Sequence, residues 1–135
     1  MATRLNQIFE AYMELLEAKK SEYKGIYADS VLEGLAFNAL PENLIEDEYT
    51  RLNKIDADLM YFELKDMTKE TLLSRSKEMG YEVIEPEKGE KFTGIKKGDL
   101  VFTFDLSEEK PYLLTSVDHD EESVVASFLK KLYSK

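Results

Sequence analysis

The chain has 135 residues, 43% of them hydrophobic, and its 28 acidic and 18 basic side chains give a formal net charge of −10. This charge argues against a basic nucleic-acid binder or a polybasic membrane-surface protein, because anionic phosphates would repel the whole domain. The absence of cysteine excludes disulfide bonds and thiol chemistry. The length predicts one α+β domain over residues 1–135.

The N-terminal residues lack the uninterrupted apolar stretch of a signal peptide, and no window approaches the ~18 apolar residues of a membrane span. We therefore expect a cytoplasmic protein without membrane contact. The negative charge is concentrated in one segment, because residues 29–66 contain ten acidic and three basic side chains and thus carry −7 of the total −10.

The first two predicted helices cover residues 4–27 and 31–40, where apolar side chains recur every three or four residues. The first would be about 36 Å long, which is more than a small core needs, so part of its apolar stripe is available for self-association. The second begins with a capping box formed by Ser30 and Glu33. Gly34 and Ala36 indicate close approach to a neighbouring helix.

Residues 42–65 allow two interpretations. An apolar stripe steps by three or four residues from Ile45 to Phe62, which is typical of a helix over five turns. Apolar residues also alternate at the end of the segment, and Asp56 and Asp58 are poor residues for a helix interior. We favour a helix to about residue 65. The alternative is a break near residues 53–58, followed by a strand over 59–65.

A fourth helix is predicted over residues 69–79, with Thr68 as its N-cap and Gly80 at its C-terminal end. The pattern then changes to strict alternation, which predicts strands from Tyr81 to Ile84, from 100 to 106 and from 112 to 117. The charged, glycine-containing stretch over residues 87–99 is predicted to be a loop, and a closing helix covers residues 120–133. The predicted fold class is α+β: a helix-rich N-terminal half of about four helices, a small antiparallel three-stranded sheet and a C-terminal helix.

The acidic segment is the leading candidate for a binding surface. Its carboxylates would face a basic protein and accelerate association by electrostatic attraction, and the candidate residues are Glu46, Asp47, Glu48, Asp56 and Asp58. The alternative is a solvated face that keeps the protein soluble. The leading functional hypothesis is a non-catalytic protein–protein interaction module of the immunity, antitoxin or regulatory type, or a homo-oligomer assembled through helix 4–27.

A locally basic loop is the candidate anion site, with Lys91, Lys96 and Lys97 as its residues. The spacing of Gly89 and Gly94 matches the first part of a phosphate-binding loop, but the required Lys-Ser or Lys-Thr does not follow. Acidic neighbours also offset the lysines, so the alternative is an ordinary solvated hairpin tip.

The only histidine lies in an acidic cluster, and the candidate metal ligands are Asp118, His119, Asp120 and Glu122. The favoured interpretation is instead the N-terminus of a helix, with Asp118 as its cap. We therefore predict no metal, no cofactor and no catalytic residue. A hydrolase-type or metal-dependent enzyme remains an alternative, and it would need Glu63 or Asp66 to meet His119.

A winged-helix DNA-binding regulator is another alternative, since a short helix precedes a strand, a charged loop and a second strand. The recognition helix would be 69–79, in which the basic Lys69, Arg75 and Lys77 are nearly balanced by acidic side chains. The adjoining acidic segment would repel DNA, so we predict no nucleic-acid partner.

Overall fold

The computed structural model describes residues 4–56, 59–116 and 122–134. Within these ranges the chain forms five helices and six strands. The helices are α1 (Arg4–Glu22), α2 (Asp29–Asn38), α3 (Glu42–Ile45), α4 (Lys69–Glu78) and α5 (Glu122–Tyr133). The strands are β1 (Thr50–Asp56), β2 (Leu59–Leu64), β3 (Glu82–Ile84), β4 (Phe92–Lys97), β5 (Leu100–Asp105) and β6 (Tyr112–Ser116).

The six strands form one antiparallel sheet in the order β1-β2-β6-β5-β4-β3. Directly opposed residues of antiparallel strands point to the same side of a sheet, so the pairing defines two faces. The inner face contains a row of opposed residues across five strands, Leu52, Phe62, Leu113, Phe104 and Thr93. The residues between them along each strand form the outer face.

The hydrophobic core lies between the inner face and the helices. Each of the five helices contributes apolar side chains to it, among them Ile8 of α1, Leu32 of α2 and Leu72 of α4. At the centre, the ring of Phe128 on α5 stacks on that of Phe102 on β5, with centroids 4.5 Å apart. Burying one such large apolar side chain stabilises a fold by about 1.5–3 kcal/mol.

Tyr133 links the end of α5 to the residues just before β1 and just after β2. Its hydroxyl donates a hydrogen bond to the carbonyl oxygen of Lys65 at 2.6 Å, and its ring stacks on Tyr49 with centroids 4.6 Å apart. Burial raises the pKa of the Tyr133 phenol, so the hydroxyl keeps its proton as a donor.

The α+β class is confirmed, but the predicted helix-rich N-terminal half of about four helices with a small three-stranded sheet is wrong, because the described residues form one six-stranded antiparallel sheet. Residues 42–65 form only the four-residue α3 and then the β1–β2 hairpin. The alternative of a strand over 59–65 is close to the observed β2. The helix-like step from Leu52 to Ile55 arises because Asn53 is an extra residue in β1, where the register shifts between Leu52 and Lys54. This bulge turns both Leu52 and Ile55 toward the core although they are three residues apart.

The other corrections concern the ends of elements. The first helix ends at Glu22 rather than near residue 27, and Gly25 follows in the left-handed region with φ +75°. The capping box at Ser30 is absent, because α2 begins at Asp29, two residues earlier than predicted, and Ala28 occupies the N-cap without a side-chain hydrogen bond. The predicted loop over 87–99 contains β4, in which Thr93 and Ile95 are buried.

The helix over 69–79 is confirmed as α4. The Oγ1 of Thr68 accepts a hydrogen bond from the N–H of Thr71 at 3.1 Å, and Gly80 has φ +91° at the C-terminal end. The strands near 81–84, 100–106 and 112–117 are also present with small changes of length. The closing helix is observed from Glu122 onward, and the predicted start at residues 120–121 lies outside the described residues.

Candidate functional site

The outer face of the sheet is the most distinctive surface of the molecule. The apolar and aromatic side chains on it are Leu59, Tyr61, Ile84, Phe92, Val101, Tyr112 and Leu114. None of them belongs to the core cluster that the described residues form, because all five described helices pack on the inner face. The solvent-facing side of an antiparallel sheet is commonly polar, so this apolar surface is unusual.

Two aromatic rings form the centre of the outer face. Tyr61 on β2 and Phe92 on β4 lie on strands separated by β6 and β5, about 14 Å apart for strands spaced by ~4.8 Å. Their ring centroids are nevertheless only 6.5 Å apart in an edge-to-face arrangement. The rings therefore lean toward each other across the sheet. We attribute to them the burial of Leu114, which lies next to Tyr61 on β6 and is only 7% exposed.

A second apolar group extends this centre toward the β3 edge. Gly94 lies on β4, which runs between β3 and β5. Ile84 on β3 and Val101 on β5 stand on either side of this glycine. A Cβ atom at Gly94 would lie 3.4 Å from the Cβ of Ile84 and 3.8 Å from the Cγ1 of Val101, so the two side chains close over the glycine. Ile84 is 42% exposed and Val101 48% exposed, so their outward surfaces are available for contact.

Lysines border the aromatic centre and neutralise a carboxylate. The Nζ of Lys54 lies 4.9 Å from the centroid of the Tyr61 ring, a cation–π distance. The Nζ of Lys110 lies 3.6 Å from the Oε2 of Glu63 on the neighbouring row of the same face. The outer face therefore carries mixed charge around an apolar centre, although the whole molecule is strongly acidic.

Asp105 is a buried carboxylate at the margin of the outer face, opposite Phe92. Its Oδ1 accepts hydrogen bonds from the N–H and the hydroxyl of Ser107 at 3.0 and 2.6 Å, and its Oδ2 lies 3.3 Å from the Nζ of Lys91. Burial alone would raise the pKa of Asp105, but these hydrogen bonds and the lysine charge lower it below its ordinary value. Asp105 thus remains ionised and holds the β5–β6 turn.

The structure places the first two acidic candidates in internal ion pairs. The carboxylate of Glu46 lies 2.8 Å from Arg51 and 3.1 Å from Lys65, and hydrogen bonds from Lys65 and Arg51 lower its pKa. Asp47 pairs with Arg4 at 3.0 Å. These contacts join the turn before β1 to α1 and to the end of β2.

The other acidic candidates have no ion-pair partner among the described residues, or lie outside them. Glu48 and Asp56 are exposed, and neither forms an ion pair with any residue that the structure describes. Asp58 lies outside the described residues. Binding of a basic partner by this segment stays a prediction.

The three basic candidates are separated. Lys91 pairs with Asp105. Lys96 and Lys97 are consecutive in β4 and therefore point to opposite faces. Lys96 lies on the outer face, whereas the Nζ of Lys97 donates to the carbonyl oxygen of Met79 at 3.0 Å. The structure does not bring them together around one anion, and anion binding stays a prediction.

The candidate metal ligands Asp118, His119 and Asp120 lie outside the described residues, as does the side chain of Glu122. Among the residues that are described, no group of three or more His, Asp or Glu side chains could hold a metal ion. The same part of the chain contains no helix whose length and apolar character would let it cross a membrane.

Two of the residues named for the alternative functions, Glu63 and Arg75, have partners within the chain. Of the carboxylates considered for an enzyme, Glu63 pairs with Lys110, and Asp66 adopts φ +51° in the turn after β2. On the helix considered for DNA recognition, the Nη1 of Arg75 donates to the carbonyl oxygen of Leu132 at 3.0 Å, which ties α4 to α5.

Sequence reasoning missed the outer face because its residues come from five strands that meet only through their register. One signal was present in the sequence. Leu113 and Leu114 are consecutive apolar residues in a predicted strand, and both are buried although they point to opposite faces. A strand that buries both faces indicates that something covers its second side.

No protein-family model matches the chain, and no curated protein and no solved structure matches it at a significant level. The proposals below therefore rest on the chemistry and exposure of its surfaces.

Proposed function

We propose that this protein is a non-catalytic binding module whose outer sheet face docks on another protein. The observation that carries the proposal is the apolar patch centred on Tyr61 and Phe92 and extended by Ile84 and Val101, on the face opposite all described helices. Ile84 and Val101 are exposed and the two rings are half-buried, and apolar side chains grouped in this way on one face are typical of interaction sites in soluble proteins. Aromatic side chains in particular are enriched in the buried centre of interfaces.

The charge of the chain supports a partner that is basic overall. A net charge of −10 creates a long-range field that attracts a positively charged protein and repels acidic ones. The contact itself would be mainly apolar and bordered by polar groups such as Lys54 and Lys96. The electrostatic field of the whole molecule would thus raise the association rate, whereas the outer face would supply the contact area.

In-cell photocrosslinking tests this proposal. A photoreactive amino acid replaces Val101 on the outer face, and the matched control carries it at Glu78, which is exposed on α4. We expect a discrete protein adduct from position 101 and none from position 78. Adding Ile84→Lys to the position-101 variant should abolish the adduct, because it places a charge in the apolar patch.

Equal labelling from both positions would contradict the proposal, as would an adduct that survives Ile84→Lys. Circular dichroism of each variant shows whether the fold is retained, and the exposure of both positions leads us to expect that it is. The adduct yield should also fall as salt concentration rises, because screening weakens the attraction of a basic partner.

A further inference from the structure

A small cleft lies between α1, α5 and the inner face of the sheet, and we call it the α1–α5 cleft. Its volume is about 70 Å³, and it is partly open to solvent. Polar groups reach it from Arg4, Asp47, Thr50 and Thr115. The rest of its lining is apolar and consists of Leu5, Phe62, Leu113, Val125, Ala126 and Leu129.

Thr115 is the unusual residue of this lining. It lies on the inner face opposite Met60 and is only 5% exposed, and its Oγ1 has no hydrogen-bond partner among the described residues. Buried hydroxyl groups are normally paired, because an unpaired one has lost its hydrogen bonds to water without compensation. The other threonine of the cleft is paired, since the Oγ1 of Thr50 donates to the Oδ1 of Asp47 at 3.0 Å. The Thr115 hydroxyl is therefore available to a molecule that enters the cleft.

The positions of the two threonines show that the cleft is long and narrow. Thr50 opposes Leu64 on β2, and Thr115 opposes Met60 on the same strand from the other side. The two threonines are thus two strands and four residues apart, roughly 16 Å between their Cα atoms. The volume of about 70 Å³ is less than half of the ~150 Å³ cavity that accommodates benzene. The shape therefore favours an unbranched chain over a ring.

The charges at the Thr50 end of the cleft balance each other. The carboxylate of Asp47 pairs with Arg4 at 3.0 Å and also accepts the hydrogen bond from Thr50. A charged ligand would bring an uncompensated charge into a mostly apolar space, at a high desolvation cost. The electrostatics therefore favour a neutral ligand.

We propose that the α1–α5 cleft binds a neutral, unbranched aliphatic alcohol. Its hydroxyl pairs with that of Thr115, because each of the two hydroxyls can donate and accept a hydrogen bond. Its chain packs along Phe62, Leu113 and Leu129. The site lies on the inner side of the sheet, so it is separate from the outer face and adds a small-molecule function to the proposed protein docking. The small enclosed volume leads us to expect a dissociation constant on the order of 1 mM.

Amide NMR of the isotopically labelled full chain, titrated with straight-chain alcohols from ethanol to n-hexanol, tests this site. We expect saturable shifts centred on Leu113, Thr115 and Leu129, with an affinity that rises with chain length until the cleft is full. Cyclohexanol and hexanoate contain as many carbon atoms as n-hexanol. Both should bind at least about tenfold more weakly, because the first is a ring and the second carries a charge.

Three variants locate the ligand. Thr115→Val keeps the shape of the side chain and removes the hydroxyl, so it should weaken n-butanol binding about five- to tenfold and raise the melting temperature of the ligand-free chain. Thr103→Val on the outer face is the matched control and should leave n-butanol binding unchanged. Ala126→Leu should abolish binding by filling the cleft, and its exposed position on α5 leads us to expect that the fold is kept.

Shifts that grow without saturation, or that spread evenly over the chain, would overturn the proposal. So would n-butanol binding that Thr115→Val or Ala126→Leu leaves unchanged while the amide spectrum shows an intact fold. Binding of cyclohexanol or hexanoate as tight as that of n-hexanol would overturn the assigned class of ligand.

Discussion

At the scale of single residues, Asp47 organises the turn that precedes β1. Its Oδ1 accepts hydrogen bonds from the N–H groups of Tyr49 and Thr50 at 2.9 and 2.7 Å, and its Oδ2 pairs with Arg4. The first set of contacts closes the turn, whereas the ion pair connects it to α1. A side chain first predicted to face a partner is thus engaged within the chain itself.

Two substitutions at Asp47 separate these roles. Asp47→Ala removes the turn acceptor and should lower the free energy of unfolding by about 1–2 kcal/mol, because two backbone donors lose their partner. Asp47→Asn keeps the acceptor and loses only a partly exposed ion pair, so the loss should be about 0–1 kcal/mol. Urea unfolding of both variants measures the difference. Equal losses would show that closing the turn is not the main role of this carboxylate.

Asp105 predicts a specific dependence of stability on pH. Its pKa is lowered in the folded state, so its stabilisation is present above its unfolded pKa of about 3.9 and is lost as pH falls through the folded value. Asp105→Asn should therefore lower the free energy of unfolding by about 1–2 kcal/mol at neutral pH. The difference from the parent chain should shrink in strong acid, where the carboxylate of the parent is also protonated.

Urea unfolding at about pH 7 and pH 3, on either side of the unfolded pKa, measures this effect. Asp56→Asn is the control, because Asp56 is exposed at the end of β1 and forms no ion pair with a described residue. A loss of stability in Asp105→Asn that is the same at both pH values would contradict the assigned role of the carboxylate.

At the scale of elements, helix α4 was predictable from the sequence because its end signals are local, whereas the capping box predicted for α2 did not form. Thr68 and Gly80 bound α4 on both sides, and such caps act within a few residues of the helix that they end. Strand β4 was missed because no local signal in the sequence marks it. Its inward residues are Thr93 and Ile95, and only pairing with β3 and β5 turns this short, lysine-flanked segment into a strand.

Side chains along β2 alternate between the inner and the outer face, and this alternation provides a direct test that residues 59–64 form a strand and not a helix. Phe62 points to the inner face and is 3% exposed, whereas its neighbour Tyr61 points to the outer face. Phe62→Ala should lower the free energy of unfolding by about 3–4 kcal/mol, because it leaves a cavity in the core. Tyr61→Ala loses mainly the contact with Phe92 and the cover over Leu114, about 1–2 kcal/mol.

Thermal or urea unfolding of the two variants provides the comparison. The neighbouring position acts as the internal control, since both substitutions remove an aromatic ring from the same strand. Losses of equal size, or a larger loss at Tyr61, would contradict the two faces assigned to the sheet.

At the scale of the whole molecule, the acidic segment and the candidate binding surface are different places. Of the ten carboxylates in residues 29–66, Glu42 and Glu46 pair with Arg51, Asp47 with Arg4, and Glu63 with Lys110. Part of that acidity therefore joins α1, β1 and β2 within the fold. The sequence located the charge, but the pairs of Asp47 with Arg4 and of Glu63 with Lys110 join residues more than forty positions apart, and no local pattern indicates them.

The outer face could not be assembled from the sequence for a related reason. Tyr61 and Phe92 are brought together only because β6, the last strand in the chain, inserts beside β2 and carries β5 and β4 with it. No local period encodes that insertion. The strand residues could be predicted, but the surface that they share could not.

Binding through the outer face is tested most directly by amide NMR of the isotopically labelled chain, titrated with the protein captured at position 101. We predict that the perturbed amides concentrate on the strands of the outer face, around Tyr61, Phe92 and Val101, and that those of helix α2 and of the turn at residues 46–48 change little. Perturbations concentrated at that turn or on helix α2, with the outer strands unchanged, would contradict this assignment.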